Sequence, residues 1–193
     1  AADHGYDRAR MERHVPPSSS ATFEEWRLAT QSYQATLLRF HIETLRRLKY
    51  RPTGGFCFDS LADPAPLIST GVLDHERRPK LAFASVIEAC RPLLVVADRP
   101  PATVTVGDAL ALDVHVVNDL RVDLEGAVCR AALRWAGGEH RWAWRGDVPA
   151  DDCVRVGIVQ FVVADAPGEL WLDLSVEAGD HVATNRYEAI ITR

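Results

Sequence analysis

Trp142 and Trp144 stand two residues apart in the run His140–Arg145, so on a strand both indoles project from one face. An exposed pair of that kind stacks on a sugar ring; a covered pair belongs to a core or a domain interface. Trp171 projects opposite to Leu170 and Leu172, and Trp135 reads as the core tryptophan of a β-sandwich. The seven histidines are scattered, with no H-x-x-x-H and no His/Cys clustering, so no metal site is expected. A Gly-rich phosphate loop and a G-x-S-x-G elbow are both missing, and no cofactor is expected either. Cys57 and Cys90 sit on apolar runs and read as core thiols. Cys129 and Cys153 can face each other across strands, and the sequence leaves their pairing open.

These residues must be positioned by two kinds of element. Residues 1–21 are polar, end in Pro16, Pro17 and three serines, and read as a loop. Thr22 with Glu25 three residues on forms a capping box that starts a long helix over 22–50. Phe23, Trp26, Ala29, Tyr33, Leu37 and Phe40 recur on it at helical spacing, beside a second stripe through Leu38, Ile42, Leu45 and Leu48. Arg46, Arg47 and Lys49 suit its negative end, and Pro52 with Gly54–Gly55 stops it. A short strand is predicted over 55–61, with Phe56 and Phe58 on one side, then irregular chain through Pro64 and Pro66, then a helix over 79–91. After Val95 the period becomes two. About seven alternating runs separated by Gly, Asp and Pro predict an immunoglobulin-like antiparallel β-sandwich over 96–193. The fold class is therefore α+β, mainly β, with a helical part over 1–95.

The chain has 193 residues, 47% hydrophobic and 25% charged, which places it among globular proteins of one or two domains. Residues 1–95 hold 13 Lys/Arg against 11 Asp/Glu, and residues 96–193 hold 9 against 16. That acidic half argues against a nucleic-acid partner, because phosphate neutralisation needs clustered cations. No apolar run approaches the ~20 residues of a membrane span, and no charged-then-apolar leader is visible. The chain opens on Ala1 and its one methionine is Met11, so the expectation is a piece of something larger.

Two helices and one strand leave apolar stripes with too few partners, and here the residues suggest a family. The stretch Tyr33-Gln34-Ala35 through His41-Ile42-Glu43, followed by Leu45-Arg46-Arg47-Leu48-Lys49-Tyr50-Arg51-Pro52-Thr53-Gly54-Gly55-Phe56, resembles the end of the catalytic barrel in glycoside hydrolase family 2, closest in pattern to its β-mannosidase branch. Leu61-Ala62-Asp63-Pro64, then Val72-Leu73-Asp74-His75 with Arg78-Pro79-Lys80, is similar to the last barrel strand, its loop and the final helix. Such proteins follow with a β-sandwich, often entered through a run like His115-Val116-Val117-Asn118-Asp119. The resemblance covers most of residues 22–120; beyond that it rests on architecture.

The resemblance implies a retaining β-glycosidase as parent, with its two catalytic carboxylates on earlier barrel strands, and the chain as the C-terminal remnant of a (β/α)8 barrel plus a sandwich. Glu24, Glu25 and Glu43 match neither catalytic motif, so no catalytic residue is assigned here. The family tends to place an aromatic, often Trp, at the sugar-facing end of the last barrel strand; this chain has Phe58, Asp59 and Ser60 in that region. Phe58, Asp59 and Asp63 are thus the candidate substrate contacts, against a reading in which Asp59 is a solvated turn residue and Asp63 caps the loop before Pro64. The expected partners are the rest of the barrel, carbohydrate, and a second copy through the face of Trp26, Tyr33 and Leu37. The rival reading is a stand-alone sandwich module that binds carbohydrate or protein.

Overall fold

The computed structural model describes residues 8–67 and 69–193. Residues 1–7, part of the expected loop, lie outside the described residues. The elements in order are α1 (Arg8–His14), α2 (Phe23–Arg47), α3 (Leu81–Ala89) and strands β1 (Leu93–Ala97), β2 (Thr103–Thr105), β3 (Ala109–Asn118), β4 (Leu124–Trp135), β5 (Gly138–Val148), β6 (Asp152–Val162), β7 (Gly168–Ala178) and β8 (His181–Thr192). They form two compact units: one up to Thr44 with Gly55–Cys90, the other Leu45–Gly54 with Arg91–Arg193.

In the first unit the capping box closes as its spacing predicts. Glu25 N–H donates to Thr22 Oγ1 at 3.2 Å, and Glu25 Oε2 accepts from the backbone of Ala21 and Thr22 at 2.8 and 3.3 Å. The Trp26 indole donates to Val15 O at 2.9 Å, and Tyr33 stacks on His14 of α1 at 5.1 Å. The stretch expected as a loop before residue 22 thus contains a helix, which covers part of the aromatic stripe. Phe23, Leu37 and Phe40 stay exposed.

Two expectations are corrected in this unit, the strand over 55–61 and the core placement of Cys57 and Cys90. Residues 55–61 form no strand: among the described residues their backbone pairing is confined to the end, where Leu61 O accepts from Val72 and Leu73 N–H at 3.1 and 2.9 Å beside an isolated Ala62–Leu73 bridge, and Phe56, Phe58 and Leu61 are exposed. Helix α3 buries Ala82 and Ala89 and leaves Leu81 and Ile87 exposed. Cys57 and Cys90 are exposed thiols rather than core ones.

The second unit is a two-sheet β-structure, with strand orders β1-β3-β6 and β2-β8-β7-β4-β5. Alternation drives it: along β4, Cys129, Ala131 and Leu133 are buried, while β7 buries Leu170, Leu172, Leu174 and Val176. Val95, Val114, Val116 and Val159 of the other sheet complete the core between them. All neighbouring strands are antiparallel except β2 and β8, which run parallel from Thr103↔Ile190 to Thr105↔Thr192, so the sandwich is not wholly antiparallel. β1 is an eighth strand that the alternation does not announce, because all five of its residues are buried.

Within this unit, the segment Leu45–Gly54 is held by charge. Arg46 reaches Asp119 Oδ2 at 2.7 Å, and Lys49 reaches Asp119 at 2.5 Å and Asp151 at 2.6 Å. Arg47 pairs with Asp98. Asp98 follows β1 while Asp119 stands beside the β1 start, where Leu93 pairs with Asn118. Asn118 is fully buried, and its amide donates to the carbonyls of Val122, Val148 and Pro149 at 3.0–3.3 Å. Its Oδ1 accepts from Leu120 N–H at 3.0 Å, so one side chain fixes two turns.

Candidate functional site

In the first unit the loop between residues 55 and 80 holds the three candidate substrate contacts, and it separates them. Asp63 is 4% exposed and its carboxylate is already occupied: Lys80 Nζ lies 3.1 Å from Oδ2, and the Ser69 hydroxyl donates to Oδ1. Lys80 also donates to Ser69 O at 3.1 Å and is itself buried. Gly71 closes over the pair so tightly that a Cβ there would stand 2.3 Å from Asp63 Oδ1. This is a buried, mutually neutralising pair that stitches residue 63 to the start of α3, leaving no carboxylate oxygen turned to solvent. Asp59 stays on the surface and accepts from Thr70 Oγ1 at 2.8 Å, and Phe58 is exposed beside it.

The acids of α2 are engaged as well. Glu24 pairs with Arg27, which lowers its pKa chiefly through that hydrogen bond; Glu25 holds the helix cap; Glu43 is buried against Arg39 at 2.8 Å. Glycoside hydrolysis with retention needs two free carboxyl groups ~5–5.5 Å apart, one of them able to act as nucleophile. Glu24, Glu25 and Glu43 are not free in that sense, since each carboxylate is engaged by a neighbour.

In the second unit Trp142 and Trp144 share one face of β5, as their spacing requires, and that face is the inner one. Both are half-buried against the core, alternating with exposed Arg141, Ala143 and Arg145. The Trp144 ring lies on Gly157 of β6 and closes the sandwich where β5 and β6 approach. Trp142 meets His140 edge-on at 6.0 Å, and His140 in turn packs on Trp135 at 5.0 Å. Trp135 is also inward, at the end of the β4–β5 hairpin over Gly138.

Beneath Trp144 a cavity of about 190 Å³ opens between the sheets, floored by Val116, Cys129 and Val176 with Arg145 and Asp147 at its mouth. It is smaller than the ~300–1,000 Å³ of typical ligand pockets. Burial pushes the Cys129 thiol up to about 12, so it is no nucleophile at neutral pH. Cys129 faces the core from the five-stranded sheet, and Cys153 packs with Leu94, Val96 and Val117 of the three-stranded sheet; both are free thiols. Among the described residues no group of three or more His, Cys, Asp or Glu is placed to hold a metal, and no helix is long and apolar enough to cross a membrane.

The tryptophan that does look outward is Trp171 on β7. It sits between buried Leu170 and Leu172, directly across from Arg134 on β4 and Glu188 on β8. Its position opposite two leucines was readable in the sequence; the charged neighbours that frame it come from sheet order.

No family model matches this sequence, and no curated protein matches it. Solved structures do. A β-D-mannosidase from Dictyoglomus thermophilum superposes with a TM-score of 0.74 at 19% identity over 98% of this chain and 23% of its own. An exo-chitosanase from Amycolatopsis orientalis gives 0.72 at 16% identity over 92% of this chain and 20% of its own. An exo-β-D-glucosaminidase gives 0.72 at 17% identity, again over 92% and 20%. The likeness is one of fold: both units are similar to a segment of these enzymes, and the chain spans about a fifth of their length.

Proposed function

We propose that this chain is the C-terminal part of a retaining β-glycosidase of the glycoside hydrolase family 2 type, its first unit ending a catalytic barrel and its second a sandwich that buttresses it. The observation that carries this reading is the superposition along nearly the whole chain, across both units, on a stretch of the β-D-mannosidase. The ordered residue runs between Tyr33 and Asp119 support it independently. So do Phe56 and Phe58, exposed on a segment that forms no strand among the described residues. A barrel strand takes hydrogen bonds from neighbours on both sides, and here those neighbours would come from the rest of the protein.

In this reading the two carboxylates belong to the remainder of the barrel, and the chain contributes scaffold. Asp63 and Lys80 hold the last loop rigid, which leaves Asp59 and Phe58 as the groups able to reach a sugar. The 193 residues by themselves should not hydrolyse aryl β-mannoside, β-glucosaminide or β-galactoside. A longer chain from the same coding sequence, carrying an Asn-Glu pair and a later Glu at barrel-strand ends, should hydrolyse one of them with retained anomeric configuration. A coding sequence that opens near Met11, or turnover by the 193 residues that persists through repeated purification, overturns the proposal. The first of those outcomes would favour the stand-alone module.

A further inference from the structure

The outer face of the five-stranded sheet carries a side-chain arrangement that packing does not explain. Trp171 is half-buried, points away from the core, and makes no hydrogen bond or ring contact with the described residues. Beside it runs a relay of alternating charge across four strands. Arg186 Nε on β8 donates to Asp173 Oδ1 on β7 at 2.5 Å, and Arg134 Nη1 on β4 donates to Asp173 Oδ2 at 2.8 Å. Arg134 Nε then donates to Glu139 on β5 at 2.7 Å, and Arg141 closes the row on the same carboxylate. Glu188, across from Trp171, makes no hydrogen bond to the described residues.

Each planar group in the relay is held by a partner, so its remaining donors and lone pairs point in set directions. Around Trp171 three arginines, 134, 141 and 186, stand among four acids, 139, 169, 173 and 188, so the signs alternate and neither dominates. Ala132, between Arg141 and Asp173 in register, leaves a shallow step next to the indole.

We propose that this face is a carbohydrate platform, on which one pyranose ring of a neutral β-linked glycan lies against the Trp171 indole. The C–H groups on one side of such a ring suit the negative π face of an indole. Its equatorial hydroxyls reach Arg134, Glu188 and Asp173, each able to donate to or accept from a hydroxyl pair. Charge balance selects against a polyanion or polycation, since neither gains net attraction here. The platform stands on the sheet geometry; only the choice of a β-linked glycan rests on the proposed glycosidase parentage.

The test uses the whole 193-residue chain and the indole N–H resonances of its five tryptophans. Titration with β-linked mannotetraose or cellotetraose should shift the Trp171 signal saturably and leave those of Trp135 and Trp144 in place. Trp171→Ala should weaken binding roughly tenfold, the scale of one lost stacking contact, with Trp171→Tyr retaining most of it. Unmoved Trp135 and Trp144 signals in both variants report that the sandwich is intact. Overturning results are a Trp171 signal indifferent to both glycans, equal response to a heparin oligosaccharide, or a shift that follows protein concentration instead of ligand. Because hydrolysis by the longer chain is not read here, failure of the platform leaves the glycosidase proposal standing, and the converse also holds.

Discussion

The indole of Trp144 rests on the backbone of Gly157 across the sandwich, so closely that a Cβ at residue 157 would stand 2.2 Å from the ring. Of the two readings its spacing allowed, a sugar platform or a packed residue, the structure shows Trp144 packed between two sheets, and the glycine opposite is what admits it.

Gly157→Ala should force the ring aside and lower stability by about 1–3 kcal/mol, the usual cost of overpacking. Combining it with Trp144→Leu should cost less than the two single changes together, because the smaller side chain makes room for the methyl group. Urea midpoints of the four proteins measure this. Additive losses would mean the contact is not the cause.

Lys80→Met should be among the most damaging changes in the first unit, at about 3–5 kcal/mol, since it strands Asp63 as a buried charge. Adding Asp63→Asn should recover part of the loss by removing that charge. Asp59→Ala, by contrast, should stay within about 0.5 kcal/mol, as an exposed acid away from any core should. Thermal unfolding of the three variants separates the roles of the two aspartates.

His115 on β3 has a buried Nδ1 with no hydrogen-bond partner, and burial together with the nearby Arg47 and Arg155 pushes its pKa down to about 4, despite Asp113. Unfolded, a histidine takes its proton near 6.5. Between those values the unfolded chain binds more protons, so this stabilisation is fully present above about pH 6.5 and declines as pH falls towards 4. Partial solvation of the imidazole limits the effect to about 1–2 kcal/mol. His115→Gln should flatten the slope of stability between pH 7 and pH 4.5 relative to the parent. An unchanged difference between the two proteins across that range would assign the slope to other groups.

Much of the fold was legible before any coordinates. The Thr22–Glu25 cap, the long helix and the alternating runs from Leu110 to Ile191 follow from local rules, in which each residue needs only its neighbours in sequence. β1 escaped because a strand covered on both faces has no polar positions to betray its period. The strand expected over 55–61 had the right residues but meets a partner backbone only at Leu61, and a strand exists only where another backbone completes its hydrogen bonds.

The candidate sites divide along the same line. That Trp142 and Trp144 share a face, and that Trp171 opposes its leucines, is dictated by the two-residue period alone. Which face meets the core depends on how β5 and β7 are ordered in the sheet, a matter of contacts between residues far apart in the chain. The same holds for Asp63: its type and its place before Pro64 are local facts, but only the arrival of Lys80 and Ser69 from further along the chain turns a candidate sugar ligand into a buried ion pair. Periodicity decided where each side chain could point; long-range packing decided what it found there.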